Sequence, residues 1–300
     1  MIGIDLGSNT IRIVQIDCKS DEKKAQFEKI IKTADKLVET GVISDEAIQR
    51  IINAIEEAKK TIDFNDKIKA VATEALRRAK NRDEVIKKIK EATGIEFEVI
   101  SPEEEAKYTA LAVENCLSKK CGLDARNFLL IDIGGGSTEI ILKHKDVIVS
   151  KSYKVGIVTL TQKYKTPEAI KIAAKKEVAK MKSFIDMLFM TYKKPKIFAA
   201  SSGTPTSVAA LKLGMKYSTY DPDRVNCTSV TIEDVEFWME KLLKMEMRKR
   251  EELVGVGRGD LIVSGLMIFR EVFKITKYRE CVVCDDGVRE GVAYSGCIEE

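Results

Sequence analysis

The sequence predicts an α/β protein built from two similar halves, and two observations support this fold class. The first is a strand, glycine turn and strand unit at residues 129–142, in which apolar β-branched runs flank three consecutive glycines at 134–136. The second is an ungapped match between residues 4–14 and residues 131–141, which repeats that unit near the start of the chain. A repeat at this separation indicates two related halves, each contributing one hairpin to a shared cleft.

The glycine turn has the composition of a phosphate site. Glycines 134–136 are expected to adopt positive φ and to leave the backbone N–H groups uncovered, which makes a nest for an anion. Asp132 enters the turn and Glu139 leaves it. Two carboxylates beside a phosphate predict a cation between them, and Mg²⁺ is the usual one. The alternative interpretation is a plain glycine-rich hairpin. In the first half Arg12 takes the position of Glu139, so the two halves are not chemically equivalent.

Length and composition narrow the class of protein. Three hundred residues suit two domains, each with its own core, and 44% hydrophobic with 33% charged residues indicates a globular chain. The net charge of +4 is too small to argue for nucleic acid. No apolar run approaches membrane-spanning length and residues 1–20 do not resemble a signal peptide, so we expect a cytoplasmic protein.

Cysteine and histidine usage limits the chemistry. The seven cysteines are odd in number and irregular in spacing, so we expect no disulfide framework. We interpret Cys281 and Cys284, a CxxC pair, as two apolar thiols on a buried strand rather than a zinc site. The single histidine, His144, argues against Ser-His-Asp hydrolases, phosphohistidine relays and histidine metal clusters. Acid–base work therefore falls to carboxylates.

Strands and helices alternate along the rest of the chain. Beyond the two hairpins, apolar runs predict strands at residues 27–33, 68–72, 97–100, 147–152, 197–200 and 281–284. Capping residues and apolar periodicity predict helices at about 44–62, 81–93, 101–117, 166–189 and 257–276, with others after residues 206, 231 and 287. The predicted N-terminal caps include Ser44, Asn81 and Thr231. The polar stretch 119–126 places the boundary between domains 1–120 and 121–300. Packing of the C-terminal helix on the first domain is left open.

An acidic block opens the predicted helix at residue 101. Ser101 and Glu104 form a capping box, which gives Glu104 a structural role. Glu105 lies next to the apolar stripe of the helix, where partial shelter favours a carboxylate that acts as a base. The other interpretation is that the block only compensates the helix dipole. Arg77 or Arg78 could contact an anion at the end of a strand, or either could be a surface charge, and Arg258 at the start of a helix is a further candidate.

These motifs resemble the exopolyphosphatase and guanosine pentaphosphate phosphohydrolase (Ppx/GppA) family of the actin-like ATPase superfamily. The resemblance spans nearly the whole chain and is carried by residues 4–10, 71–77, 103–106, 131–139, 258–260 and 287–291. It implies two actin-like, ribonuclease H-like domains, each a mixed five-stranded sheet with flanking helices, around an interdomain cleft.

The resemblance also implies a role for each matched residue. Glu105 matches the base that activates the attacking water, and Asp132 and Glu139 match carboxylates that hold Mg²⁺, or Mn²⁺, with Asp5 as a further metal residue. The matched phosphate-binding residues are Ser8, Asn9, Thr10, Arg77, Gly134, Gly135, Gly136 and Ser137. Three further candidates for phosphate contact come from the residues themselves: Gly203 and Thr204 in a small-residue turn before a helix, and Arg258 at the start of a helix.

The sequence departs from the family pattern at three places. Pro102 stands where glycine is usual before the acidic block. Ser202 replaces the first glycine of a Gly-Gly-Thr turn, which weakens the expectation of nucleotide contact there. The chain ends at residue 300 without the helical C-terminal domain of longer members, so we do not expect processive action on long chains.

The expected activity is Mg²⁺-dependent hydrolysis of the terminal phosphoanhydride of inorganic polyphosphate, releasing phosphate. A second possible activity is removal of the 5′ γ-phosphate of guanosine pentaphosphate, with guanosine penta- or tetraphosphate as the ligand. Two further alternatives use the same hairpins. A non-hydrolysing nucleotide-binding sensor would tolerate loss of Glu105, and an ATP-dependent kinase of the same fold would have no use for the acidic block 103–105. We expect a monomer or homodimer without a specific nucleic-acid partner and without a membrane partner.

Overall fold

The structure is a computed structural model that describes residues 1–298. It divides into two compact units, one formed by residues 1–112 and the segment from 287 onward, the other by residues 113–286. The domain boundary expected after residue 120 falls within the second unit and stays a prediction. Each unit contains one mixed β-sheet with helices, as the sequence predicts.

The sheet of the first unit has five strands in the order β3-β2-β1-β4-β5. Its strands are β1 (Ile2–Leu6), β2 (Thr10–Ile16), β3 (Lys23–Ile30), β4 (Ile68–Ala72) and β5 (Glu98–Val99). The first three are antiparallel, whereas β1, β4 and β5 run parallel. Strand β3 begins four residues before the predicted start at residue 27. The strand predicted at residues 97–100 is only two residues long in the structure.

Of the caps predicted for the helices of this part of the chain, the one at Ser44 is correct and the one at Asn81 is wrong. They are α1 (Leu37–Thr40), α2 (Asp45–Ala58), α3 (Glu74–Arg78), α4 (Arg82–Thr93) and α5 (Pro102–Asn115). Ser44 caps α2 as predicted, because its side chain accepts a hydrogen bond from the Ala47 N–H. The predicted cap of α4 by Asn81 is wrong, since the Asn81 amide instead bonds both backbone groups of Ile43.

The sheet of the second unit has six strands, one more than predicted, in the order β10-β11-β9-β6-β7-β8. The strands are β6 (Asn127–Ile133), β7 (Thr138–His144), β8 (Val147–Tyr153), β9 (Ile197–Ser201), β10 (Ser229–Thr231) and β11 (Glu280–Val283). The additional strand, β10, is three residues long and ends in Thr231, which also caps the next helix. Its brevity explains why the apolar pattern did not reveal it.

The second unit contributes α6 (Ile157–Lys163), α7 (Pro167–Ala179), α8 (Lys182–Tyr192), α9 (Gly203–Lys212), α10 (Pro222–Val225), α11 (Ile232–Leu243), α12 (Met247–Val254) and α13 (Leu261–Thr276). The single helix predicted over residues 166–189 is two helices. The last turn of α7 tightens at Lys180 and Met181, whose N–H groups donate to carbonyls three residues back. Helix α14 (Val288–Ile298) belongs to the first unit.

Glycines allow α14 to pack closely in the first unit. A Cβ added to Gly3 of β1 would lie 2.2 Å from the Arg289 carbonyl oxygen, and one added to Gly291 would lie 1.9 Å from that of Tyr108. Both glycines are therefore required by close backbone approach. In the second unit, α13 is buried along most of its length in the main hydrophobic core.

Two disulfides overturn the expectation of no disulfide framework. The bonds join Cys18 to Cys297 and Cys121 to Cys227, pairs that are 279 and 106 residues apart. Such separations follow from the fold and cannot be read from spacing along the chain. Cys281 and Cys284 are buried free thiols, which confirms their predicted role. Among residues 1–298, no helix is long and apolar enough to cross a membrane.

Candidate active site

The glycine hairpin of the second unit has the predicted strand pairing. In the register of β6 and β7, Asp132 lies opposite Glu139. The Gly134 N–H donates to the Ser137 carbonyl oxygen at 2.9 Å and closes the loop. The expectation of positive φ in this loop is wrong, because none of the three glycines lies in the left-handed region. A Cβ on Gly134 would instead lie 3.1 Å from the Ser137 oxygen, so close approach is what favours glycine there.

Backbone N–H groups at the start of helix α6 donate to carbonyl groups of the glycine loop and hold it in place. The N–H of Ile157 donates to the Gly134 oxygen at 3.0 Å, and that of Val158 donates to the Gly135 oxygen at 2.8 Å. Contact is close enough that a Cβ on Gly156 would lie 2.4 Å from the Gly135 oxygen. The loop backbone is therefore fixed by the protein itself, as a preorganised anion site requires.

The two carboxylates of this hairpin suit a hard divalent cation. Residues directly opposite on antiparallel strands share a face, with Cβ atoms about 4.5–5.5 Å apart. Glu139 is buried and accepts a 2.7 Å hydrogen bond from the Ser152 hydroxyl, whereas Asp132 is half-buried. Mg²⁺ and Mn²⁺ prefer such all-oxygen donors. Asp132 and Glu139 therefore fit the implied metal, and Asp5 occupies the equivalent strand end in the first unit, opposite Arg12.

A third candidate segment lies at the same edge of this sheet. Strand β9 runs parallel to β6 and places Ser201 beside Asp132. The following turn leads into α9, which begins with Gly203 and Thr204, so it lies at the carboxyl edge where α/β sheets bind ligands. The Thr204 side chain is buried, and a Cβ on Gly265 of α13 would lie 2.0 Å from its Oγ1 atom. Any phosphate contact from Thr204 would therefore come from its backbone N–H.

Ser202 occupies a backbone conformation that is ordinarily reserved for glycine. Its φ and ψ are 79° and 174°, and its hydroxyl donates to the Ile133 carbonyl oxygen at 2.7 Å. Non-glycine residues in this region carry about 1–3 kcal/mol of strain. This positive φ explains why glycine is usual at this position in the family. The serine hydroxyl, in turn, links the strained turn to β6 by its hydrogen bond to Ile133.

We expect Ser202→Gly to be more stable than Ser202→Ala by about 1 kcal/mol. Both variants lose a hydrogen bond of about 0.5–1.5 kcal/mol, but only glycine relieves the backbone strain. Chemical denaturation of the two variants and the parent measures the difference. Because alanine is normally the more stable of the two residues, a greater stability of Ser202→Ala would contradict the assignment of strain.

Arg258 lies at the start of α13. Its guanidinium is 5.9 Å from the centre of the Tyr217 ring, and Asp260 caps the helix by accepting from the Leu261 N–H at 2.9 Å. The predicted opening of a helix at this point is confirmed. The role of Arg258 in phosphate binding stays a prediction.

The first hairpin reproduces the second at the level of its hydrogen bonds. The Gly7 N–H donates to the Thr10 carbonyl oxygen at 3.0 Å, the same pairing that Gly134 and Ser137 make in the second hairpin. Ser8 and Asn9 are buried, and their carbonyl groups accept from the segment after β3. The ungapped repeat seen in the sequence is therefore a repeat of backbone structure.

The acidic block of α5 separates into a capping residue and an ion-pairing residue. Ser101 and Glu104 form the predicted capping box, with bonds of 2.8 and 3.1 Å. The hydrogen bonds from Ser101 hold the pKa of Glu104 below its usual value. The neighbouring Glu105 instead lies 2.8 Å from Nη2 of Arg77, and both side chains are largely buried. The structure therefore brings together two residues that the sequence proposed separately.

Arg77 is held by two further groups in the first unit. It lies 3.3 Å from the carboxylate of Glu74 and donates to the Ile100 carbonyl oxygen at 2.9 Å. Sequence reasoning gave Glu74 no role. The signal that could have indicated one is its position three residues before Arg77 on the same short helix.

Sequence reasoning also missed a buried charged cluster at the start of α14. The carboxylate of Glu290 lies 2.6 Å from Nε of Arg289 and 2.9 Å from Nζ of Lys23, and it accepts from the Gly287 N–H at 2.8 Å. Burial alone would raise the pKa of Glu290, but Arg289, Lys23 and the Gly287 amide lower it below its usual value. Residues 287–291 are part of the resemblance, but the sequence assigned them no role. In the structure this cluster anchors the start of α14.

The fold and its paired hairpins define the actin-like class of α/β proteins. The chain belongs to the Ppx/GppA phosphatase family, whose model matches residues 20–300. Exopolyphosphatase 2 of Mycobacterium tuberculosis is 24% identical to it over 97% of each chain. The crystal structure of the Aquifex aeolicus Ppx/GppA member is 31% identical, with a TM-score of 0.73, and the match covers 99% of this chain and 97% of that one.

A longer relative matches over part of its length. The bifunctional 3-dehydroquinate synthase/phosphatase of Fusobacterium nucleatum is 26% identical over 90% of this chain, which spans 42% of that protein. Together these comparisons confirm the predicted family and the predicted fold class. They also place the chain among relatives that are phosphohydrolases.

Proposed function

We propose that the protein is an exopolyphosphatase that hydrolyses the terminal phosphoanhydride of inorganic polyphosphate with the help of Mg²⁺. The observation that carries this proposal is the glycine hairpin of the second unit. There a backbone loop fixed by α6 adjoins two opposed carboxylates, Asp132 and Glu139. The chain matches relatives described as exopolyphosphatases over nearly their whole length, and this supports the same substrate class.

Each part of the hairpin has a role in this reaction. Loop residues 134–137 bind the terminal phosphate, while Asp132 and Glu139 hold the cation. A bound Mg²⁺ supplies positive charge that neutralises the phosphate oxygens. Phosphoryl transfer has a loose transition state with charge spread over the equatorial oxygens, so positioning and charge stabilisation account for most of the rate.

Glu105 is the proposed general base. Its carboxylate accepts a proton from the attacking water, which then forms a bond to the terminal phosphorus as the bridging oxygen leaves. Before substrate binds, the Glu105 carboxylate forms an ion pair with Arg77. Glu74 and the Ile100 carbonyl group also hold Arg77, whose guanidinium is the proposed contact for a phosphate oxygen of the substrate.

The test is phosphate release from medium-length polyphosphate and, in parallel, from guanosine pentaphosphate. Each reaction is run with Mg²⁺, with Mn²⁺ and with excess chelator. We expect rapid release from polyphosphate that needs the metal. Release mainly from the nucleotide would assign the pentaphosphate phosphohydrolase activity instead. Nucleotide binding without release would indicate the sensor, and transfer of phosphate to an added acceptor would indicate a kinase.

A further inference from the structure

Three cysteine sulfurs of the second unit lie close together, on residues outside the glycine hairpin. The Sγ atoms of Cys116, Cys121 and Cys227 are all within 4.8 Å of one another. Cys121 and Cys227 are joined in a disulfide, while Cys116 is a buried thiol. A fourth cysteine, Cys284, is also a buried thiol. The disulfide uses only two of these sulfurs, so the position of the Cys116 thiol beside Cys121 and Cys227 requires an explanation.

The backbone brings these residues together in an unusual way. Residues Cys116–Lys120 form a π-helical turn, and the Cys121 N–H donates to the Cys116 carbonyl oxygen at 3.1 Å. This wide turn places residues five apart on the same side, as π-bulges often do at functional sites. Cys227 has a positive φ of 69°, and its N–H donates to the Val283 carbonyl oxygen, next to Cys284.

The spacing of the sulfurs suits a thiolate metal site. In a tetrahedral zinc site with Zn–S bonds of about 2.3 Å, ligand sulfurs are roughly 3.8 Å apart. Three sulfurs within 4.8 Å can reach that arrangement by small side-chain movements once the disulfide is reduced. Thiolates are soft ligands that select Zn²⁺ over Mg²⁺, so this cluster and the carboxylate pair suit different cations.

Asn226 provides an outer partner for such a site. Its Oδ1 accepts from the Cys116 thiol at 3.3 Å and from the Asp285 N–H at 2.7 Å. Its Nδ2 is buried and has no hydrogen-bond partner among residues 1–298. A thiolate at Cys116 could no longer donate to Oδ1, so the amide would rotate and present Nδ2 to the sulfur, exchanging its bond from the Asp285 N–H for one to the ligand. Hydrogen bonds of this kind orient metal ligands.

We propose that the reduced protein binds one Zn²⁺ through Cys116, Cys121 and Cys227, and that the Cys121–Cys227 disulfide is the oxidised, metal-free state. Reduction by a phosphine breaks the S–S bond, gives two thiols and forms a phosphine oxide with oxygen from water. Zinc binding then forms three Zn–S bonds and releases three protons from three thiols.

The first experiment uses the full chain and does not depend on activity. Protein is reduced anaerobically with the phosphine, freed of it and titrated with Zn²⁺, and the bound metal is counted in a colorimetric assay. We expect one Zn²⁺ per chain after reduction and none in the oxidised protein. Titration with Co²⁺ is expected to give sulfur-to-cobalt charge-transfer absorption, which carboxylate sites lack.

Alkylation identifies the ligands in the unmodified sequence. The reduced, zinc-loaded protein is treated with iodoacetamide and mapped by mass spectrometry. Zinc is expected to protect Cys116, Cys121 and Cys227 while the reduced Cys18 and Cys297 react equally with and without metal. Equal protection of all five, or of none, would overturn the proposal.

Matched variants complete the test. Cys227→Ser is expected to weaken Zn²⁺ binding at least about 100-fold, since losing a ligand should exceed the 10–100-fold cost of losing an outer partner. Cys18→Ser, which removes the other disulfide, is the control and is expected to retain full binding. Retained zinc in a folded Cys116→Ser, Cys121→Ser, Cys227→Ser triple variant would refute the site. Failure of the reduced parent to bind any Zn²⁺ would do the same.

Discussion

Replacing Glu105 by glutamine is expected to lower polyphosphate turnover at least about 100-fold while substrate binding is retained. Glutamine has nearly the same shape but cannot accept the proton of the attacking water. Arg77 keeps its contacts with Glu74 and the Ile100 carbonyl group in the variant, so the fold of the first unit should persist. Initial rates of phosphate release measure the effect, and binding of polyphosphate to the variant shows whether affinity is unchanged.

Glu104 offers a matched control one residue away. Glu104→Gln keeps a group that can still accept from the Ser101 N–H, and this residue's contacts are those of a helix cap. We expect turnover near that of the parent and a small fall in melting temperature. If Glu105→Gln has the turnover of the parent, Glu105 is not the base. If both variants lose activity equally, the acidic block acts through the helix rather than through Glu105.

Local signals predicted the hairpins and several helix starts correctly. The ungapped repeat predicted two strand-turn-strand units, and both have the same closing hydrogen bond at Gly7 and Gly134. The capping boxes at Ser101 and Thr231 were predicted because each depends on residues three apart. Such features are determined within one turn of the chain, where a sequence pattern is sufficient.

Features that depend on distant residues were not predictable in the same way. The disulfide between Cys18 and Cys297 requires the first and last elements of one unit to meet. Asn81 had a good capping signal, but the backbone of Ile43 competes for its amide. The ion pair of Arg77 with Glu105 depends on the relative placement of α3 and α5. In each case tertiary contacts decide which of several local possibilities occurs.

Neutralising one carboxylate of the glycine hairpin is expected to reduce activity and increase stability. Because Asp132 and Glu139 lie directly opposite each other, like charges there should destabilise the hairpin by about 0.2–1 kcal/mol without a cation. Asp132→Asn or Glu139→Gln removes this repulsion and also a metal ligand. We therefore expect turnover to fall about 100- to 1000-fold while the metal-free protein melts at a slightly higher temperature.

Magnesium titration separates this explanation from simple damage to the fold. A cation that binds only the folded protein raises its melting temperature, so Mg²⁺ should stabilise the parent more than either variant. Ser152→Ala removes the hydrogen bond to Glu139 but no charge, and it should raise the Mg²⁺ concentration needed for activity about 10- to 100-fold without abolishing turnover. Equal Mg²⁺ stabilisation of the parent and Glu139→Gln, with full activity in both, would remove this carboxylate pair from the metal site. A loss of turnover accompanied by a lower melting temperature would instead mean that Glu139 serves the fold, since a metal ligand relieved of repulsion should do the opposite.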